Sequence, residues 1–158
     1  MRRGGKSEKG AKGGKRFLLL TIFALLLAGC ASVSTETQTE SDFHYKMGLS
    51  SMDEGQMQTA FVQFQKALQL EPENKDALNS LGLIYLQWGE LEKARDLFLK
   101  AIAVDHEFSD AYNNLGITYR ELGRWQDAIG SFQKALSNPL YQYAEWALYH
   151  LGVTYYRS

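Results

Sequence analysis

The chain has 158 residues and a formal net charge of −1. This length is enough for one modest domain after any tail is removed. The charge is unevenly distributed. Residues 1–29 contain seven Lys or Arg and one Glu, net +6, whereas the rest contains 10 basic and 17 acidic side chains, net −7. The acidic body argues against a phosphate-binding face for nucleic acid, and the single cysteine, Cys30, excludes an intrachain disulfide.

The basic N-terminal segment leads directly into the apolar run FLLLTIFALLL at positions 17–27. This run is much shorter than the stretch of about 20 residues that a permanent transmembrane helix needs, so the order of charge and hydrophobicity is typical of an export signal. The next residues, Ala28, Gly29 and Cys30, place two small side chains before the cysteine. An uncleaved anchor with an ordinary buried thiol at Cys30 is the alternative.

The sequence LAGC at residues 27–30 resembles the bacterial lipobox. This resemblance implies that residues 1–29 are a cleaved lipoprotein signal peptide and that Cys30 carries a covalent lipid as the membrane anchor. Ala31, rather than Asp, follows the cysteine, which in lipoproteins implies delivery to the periplasmic face of the bacterial outer membrane. Residues 31–40 (ASVSTETQTE) are polar, so residues 30–40 are expected to be the lipidated cysteine and a flexible tether.

From residue 41 onward the same residue types recur at a constant interval. Two sets of residues show the spacing, the glycines Gly48, Gly82 and Gly116 and the alanines Ala60, Ala94 and Ala128. Residues with almost no side chain allow two helices to approach closely, while Tyr and Phe fill the space beside them. A fixed repeat period of about 34 residues predicts stacked antiparallel helical hairpins and therefore an all-α fold.

Turn signals divide this region into units. Gly55, Gly89 and Gly123 are expected to separate the first helix of each unit from the second, and Ser41 or Asp42 is expected to cap the first helix of the first unit. The predicted boundaries are 41–74, 75–108 and 109–142 for three full units and 143–158 for the first helix of a fourth.

The fourth unit has its first-helix residues but no following second helix. The residues at the usual places are Leu148, Leu151, Gly152 and Tyr155. The interval from Gly116 to Gly152 is two positions longer than the repeat period, and the extra length lies in residues 138–143. Two explanations of the uncovered helix remain open: the sequence is truncated, or the helix is buried by self-association.

The repeated pattern resembles the tetratricopeptide repeat family over residues 41–158. Its signature in the third unit is Leu115-Gly116 and Tyr119 on the first helix, with Ala128 and Phe132 on the second. The first unit departs from the family, with His44 for the large residue and Ser51 for the tyrosine. The resemblance implies a superhelix of about three and a half stacked hairpins.

The family lines a concave groove with defined places of each first helix, and this resemblance implies a site that binds a protein segment. Mapped onto this sequence, the groove residues are Tyr45, Lys46, Leu49, Met52, Asn79, Leu83, Leu86, Gln87, Asn113, Asn114, Ile117, Arg120, Tyr149, Val153 and Tyr156. Tandem Asn side chains offer donors and acceptors to a peptide backbone, and apolar members offer anchors. Alternatively, Leu83, Leu86 and Ile117 simply support neighbouring helices.

No motif in the sequence predicts catalysis. His44, His106 and His150 lack the HExxH spacing, and GxSxG, P-loop and CxxC motifs are absent from the sequence. The sequence therefore predicts no enzyme, no metal and no cofactor besides the covalent lipid. Some relatives bind C-terminal carboxylates through a basic clamp, but Tyr45 and Leu49 stand at two clamp places and only Asn114 matches, which argues against that ligand.

The lipobox, the tether and the repeats together resemble the pilotins of type IV pili, which help the secretin ring assemble at the outer membrane. The sequence NPLY at residues 138–141 belongs to the same resemblance. It implies a non-enzymatic scaffold whose partner is a secretin subunit. The alternative is a lipoprotein adaptor that tethers or regulates a peptidoglycan-remodelling enzyme.

Overall fold

The computed structural model describes residues 35–158, so the predicted signal peptide, Cys30 and residues 31–34 lie outside the described residues. Within residues 35–158 there are seven helices and no strand. The helices are α1 (residues 35–53), α2 (Met57–Leu70), α3 (Lys75–Gln87), α4 (Leu91–Val104), α5 (Ser109–Glu121), α6 (Trp125–Leu136) and α7 (Ala144–Arg157). None of these helices is long and apolar enough to cross a membrane.

The all-α hairpin fold predicted from the repeat period is confirmed. Residues 38–158 form one compact unit in which α3 packs on α4, α5 on α6 and α6 on α7. The first helices also contact one another, α3 with α5 and α5 with α7. This arrangement brings side chains of α3, α5 and α7 to one common face.

Each predicted turn glycine has the conformation that its turn requires. The φ angles of Gly55, Gly89 and Gly123 are 73°, 77° and 72°, in the left-handed region that glycine adopts without a steric penalty. The amide of the following residue donates to the carbonyl five residues back, as Glu90 N does to Tyr85 O at 2.9 Å. This is the hydrogen bond of a Schellman helix end, so the glycine ends the first helix and reverses the chain.

The seam of each hairpin is a glycine of the first helix that faces a phenylalanine of the second. A Cβ placed on Gly82 would lie 2.6 Å from Cε1 of Phe98, which is fully buried. The same pairing joins Gly48 to Phe64 and Gly116 to Phe132. The two helices are therefore close enough that no side chain larger than hydrogen fits at the glycine.

The start of α1 differs from the prediction. The helix already includes residues 35–40, which the sequence assigns to the tether, and it runs through Ser41 and Asp42. The expectation that one of these residues caps α1 is therefore wrong. The Ser41 hydroxyl is fully buried and donates to Ala67 O at 3.1 Å, while Asn74 Nδ2 donates to Ser41 Oγ at 3.2 Å. Ser41 thus joins α1 to the end of α2 and to the cap of α3.

Candidate functional site

The common face of α3, α5 and α7 contains a cavity of about 340 Å³. Its lining residues are Asn79, Leu83, Asp110, Asn113, Asn114, Tyr141, Tyr143, Trp146 and His150. Four of them belong to the groove predicted from the sequence, and they come from two successive repeats. We call this cavity, with its lining residues, the Asn cavity.

The floor of the Asn cavity is a group of three asparagines. Asn114 Nδ2 donates to Asn79 Oδ1 at 3.0 Å, which joins α5 to α3. Asn113 is 8% exposed, and its Oδ1 atom is buried without a hydrogen-bond partner among residues 35–158. A buried acceptor without a donor costs about 1–3 kcal/mol, so a ligand donor that reached Asn113 Oδ1 through a small movement of the side chain would stabilise the structure.

The apolar groove residues of α3 have two roles. Leu83 and Leu86 are half-buried and pack against the core cluster that includes Leu78 and Phe98. Leu83 and Leu86 therefore support the neighbouring helices, which is the alternative that the sequence left open. Leu83 also lines the Asn cavity, so its exposed part remains available to a ligand.

The groove residues of the first unit lie away from the Asn cavity. Tyr45 and Met52 pack against the core cluster that contains Phe64, and the Tyr45 ring centre is 5.9 Å from that of Phe64. Leu49 is 37% exposed on α1. These residues do not line the cavity that the asparagines form.

Two predicted residues of α5 remain, Ile117 and Arg120, and Arg120 contacts α7 through His150. Ile117 is half-buried. Arg120 donates from Nη1 to His150 Nδ1 at 3.2 Å and forms a salt bridge with Glu121 at 3.2 Å. The pKa of His150 is lowered by burial and by the Arg120 cation, and its Nδ1 accepts a hydrogen bond, so the ring is neutral at pH 7.

The sequence mapping missed an aromatic wall on the Asn cavity. Tyr141 and Tyr143, from the segment that breaks the repeat period, pack edge to face with ring centres 6.1 Å apart. Tyr143 and Trp146 are 53% and 63% exposed. The two extra residues before α7 indicate in the sequence that this segment departs from the repeat. They do not indicate that its tyrosines line the Asn cavity.

Asp110 is the second residue that the mapping missed. It lies in the first turn of α5 and lines the Asn cavity beside Tyr141. Burial and the Asp76 carboxylate raise the pKa of Asp110, and the Tyr141 hydroxyl acts in the opposite direction. Asp42, Asp76 and Asp110 are separated by one repeat period each, so the repeat could have indicated these carboxylates.

The outer face of α7 forms a second depression, of about 540 Å³, lined by Leu148, Tyr149, Gly152, Val153, Tyr156 and Arg157. The predicted groove residues Tyr149, Val153 and Tyr156 lie here, apart from the Asn cavity. A Cβ on Gly152 would meet no atom within 4 Å, in contrast to the three seam glycines of the earlier hairpins. Tyr156 is 93% exposed. No second helix within residues 35–158 covers this face.

The described residues contain no group of three or more His, Cys, Asp or Glu side chains that could hold a metal ion. The groups that line the Asn cavity are amide, carboxylate, phenol, indole, imidazole and apolar side chains. Such groups can hold a peptide through hydrogen bonds and ring contacts. The arrangement on this face is thus suited to binding.

Comparison with known proteins agrees with this geometry. Two family models, both described as tetratricopeptide repeat, match residues 51–116 and 109–138, which together exceed half of the chain. No match was found among curated proteins. Similar solved structures include the tetratricopeptide repeat domain of OM64 from Arabidopsis, with 20% identity, a TM-score of 0.68 and coverage of 75% of this chain and 96% of that chain.

Two further structures share the fold. The first tetratricopeptide repeat domain of Spaghetti (RPAP3), bound to the HSP90 peptide SRMEEVD, has 16% identity and a TM-score of 0.70, covering 76% of this chain and 94% of that chain. PilF of Pseudomonas aeruginosa has 24% identity and a TM-score of 0.72, covering 77% of this chain and 55% of that chain. At these identities the likeness shows the fold alone.

Proposed function

Because this chain belongs to the tetratricopeptide repeat family, we propose that it is a non-enzymatic scaffold that holds a segment of a partner protein in the Asn cavity. The observation that carries the proposal is the buried, unpaired Asn113 Oδ1 beside the Asn114–Asn79 hydrogen bond. A peptide backbone N–H would satisfy this acceptor and remove the cost of leaving it unpaired. The exposed part of Leu83 would contact an apolar side chain of the same segment.

The related RPAP3 domain was solved with an HSP90 peptide, SRMEEVD, which shows that the fold can hold a peptide. The Asn cavity is not suited to an acidic peptide such as SRMEEVD. Asp110 lines the Asn cavity and Tyr45 stands at a place where a basic clamp would need Lys or Arg. A negatively charged ligand would be repelled by Asp110.

The proposal places the scaffold at the periplasmic face of the bacterial outer membrane, anchored by a lipid on Cys30. Its support is the sequence order of basic segment, apolar run and LAGC at residues 27–30. Only residues 31–34 separate Cys30 from the described start of α1. The five Cα–Cα steps from Cys30 to Thr35 span at most about 18 Å, so a lipid on Cys30 would hold the repeats close to the membrane.

The finer proposal is that the protein is a pilotin and that its partner is a secretin subunit. It is supported by the lipobox sequence, by repeats that begin soon after it, and by a fold shared with PilF over 77% of this chain. The second candidate is an adaptor for a peptidoglycan-remodelling enzyme. The exposed apolar face of α7 favours that candidate, because such a face suits docking to a folded protein or to a second copy.

Co-purification tests the partner and the site together. We expect the full-length protein, extracted with mild detergent from the cells that make it, to retain a secretin subunit. Asn113→Leu removes the buried acceptor and should reduce this retention about tenfold, in line with the loss of one buried hydrogen bond. Gln69→Leu, the same amide-to-leucine change at an exposed position of α2, is the matched control and should retain the partner.

Recovery of a cell-wall hydrolase without a secretin would replace the pilotin proposal with the adaptor. Equal recovery of the partner with Asn113→Leu and with Gln69→Leu would contradict the Asn cavity as the binding site.

A further inference from the structure

Besides the asparagines, the lining of the Asn cavity combines one carboxylate with aromatic rings. Asp110 contributes the carboxylate, and Tyr141, Tyr143 and Trp146 contribute the rings. His150 completes the lining as a neutral imidazole, because its Nδ1 accepts from the Arg120 guanidinium. Among the side chains that line this cavity, Asp110 is therefore the charged one at neutral pH.

The Asp110 carboxylate has no salt-bridge partner within residues 35–158. Neither nearby cation of the same face pairs with Asp110, and Arg120 Nε is itself buried without a partner among the described residues. Lys75 pairs with Asp105, and Arg120 pairs with Glu121 while it donates to His150. Asp110 is half-buried, so part of its hydration is lost; the Tyr141 hydroxyl donates to it, but no positive charge of the described residues pairs with it.

A second carboxylate increases the negative potential on this face. Asp76 occupies in α3 the place that Asp110 occupies in α5. Burial and Asp76 raise the pKa of Asp110, and burial, Asp76 and Asp110 raise the pKa of Tyr45. Asp76 is therefore close enough to Asp110 for the two carboxylates to interact. A cation bound at Asp110 would be stabilised by both.

The aromatic rings offer the second element of a cation site. The rings of Tyr143 and Trp146 are more than half exposed, so their faces are open to a ligand. A positive group over the face of a tryptophan or tyrosine is attracted by the ring quadrupole. Asn113 Oδ1 in the same cavity has two lone pairs, so besides a backbone N–H of the segment it can accept from a cationic N–H donor. Carboxylate, ring faces and orphan acceptor all favour the same kind of ligand.

We propose that the Asn cavity is a specificity pocket for a lysine or arginine side chain of the bound partner segment. The side chain would direct its ammonium or guanidinium to Asp110 and Asn113 and hold that cation against the ring face of Trp146. This inference rests on the proposed function, because the basic side chain is delivered by the segment that the groove holds. It adds a requirement for the partner: the bound segment carries a lysine or arginine at the position that enters the Asn cavity.

Retention of peptide libraries tests the pocket. The full-length protein in detergent micelles is immobilised and exposed to libraries of short peptides with random flanks and one fixed central residue, either Lys, Arg, norleucine or Glu. We expect the Lys and Arg libraries to be retained about tenfold more than the norleucine library. The Glu library should be retained least, because Asp110 repels it.

Three variants test which residues cause the preference for the Lys and Arg libraries. Asp110→Asn keeps the shape of the side chain and should abolish the preference for Lys and Arg over norleucine. Glu145→Gln removes one negative charge from the first turn of α7 at an exposed position outside the cavity lining, and should leave the preference intact. Trp146→Leu removes an exposed ring outside the core, so it tests the cation–ring contact without disturbing the fold.

The outcomes separate this inference from the function on which it rests. Equal retention of the Lys and norleucine libraries, with Asn113→Leu reducing both, would overturn the basic pocket and leave the peptide groove. A preference for Lys and Arg that survives Asp110→Asn and Trp146→Leu would place recognition elsewhere and also overturn the pocket. Retention of none of the libraries would contradict the peptide groove and the pocket together.

Discussion

Replacement of Gly82 by leucine is expected to lower the free energy of unfolding by about 1–3 kcal/mol. A Cβ at this position would already lie 2.6 Å from Cε1 of Phe98, and Phe98 is fully buried, so its ring could move away only by displacing core neighbours. Replacing glycine within a helix also favours the folded state by roughly 0.5–1 kcal/mol. The overpacking term is larger, so we expect a net loss. Thermal unfolding followed by the helical circular dichroism signal measures it.

Gly152→Leu is the matched control because the same residue type occupies the same place two repeats later. A Cβ at Gly152 would meet no atom within 4 Å, so only the gain in helix propensity remains. We expect this variant to be as stable as the original chain or slightly more stable. If Gly82→Leu and Gly152→Leu unfolded at the same temperature, the assignment of Gly82 to a closely packed hairpin seam would be wrong.

Cys30→Ser is expected to remove the protein almost completely from the outer-membrane fraction. Under the proposed anchor, the thiol is the acceptor of the lipid, and serine at this position would leave an unlipidated precursor that still carries residues 1–29. Several acyl chains give stable membrane attachment that the acidic repeat domain cannot supply on its own. Fractionation of the envelope, followed by mass spectrometry of the N-terminal peptide, measures both changes.

Ser34→Ala serves as the control for a change of similar size near the proposed anchor, and it should leave the lipid and the outer-membrane location unchanged. A Cys30→Ser protein that stayed in the outer-membrane fraction at the original level would show that another contact anchors the chain. The lipoprotein part of the proposed function would then be lost, whereas the peptide groove would be unaffected.

The architecture could be predicted from the sequence because a repeated fold repeats its contacts. Gly48, Gly82 and Gly116 recur at the repeat period since each faces a phenylalanine across a closely packed seam. The turn glycines were equally visible, because a helix end in the left-handed conformation strongly favours glycine. Asn79 and Asn113 are also one repeat period apart, and both line the Asn cavity. There Asn114, the neighbour of Asn113, donates a hydrogen bond to Asn79 and so links α5 to α3.

Other features could not be read from the period. Serine is a residue type that often caps a helix, so Ser41 was expected to do so. Its hydroxyl instead donates to the end of α2, and a contact between residues so far apart in the sequence cannot be read from the repeat period. The aromatic wall comes from residues 141–146, where the repeat is interrupted, and a periodic pattern contains no information about an interruption. The unpaired acceptor of Asn113 depends on the side-chain positions of its neighbours, which spacing alone does not determine.

The most direct test of the central claim is photo-crosslinking in the cells that make the protein. A photo-reactive amino acid is placed either at Leu83, in the Asn cavity, or at Leu99, which is 42% exposed on α4 and lies outside that cavity. We predict one discrete adduct with a partner protein from position 83 and none from position 99. A partner adduct of equal or greater yield from position 99, with none from position 83, would contradict the concave groove as the binding site.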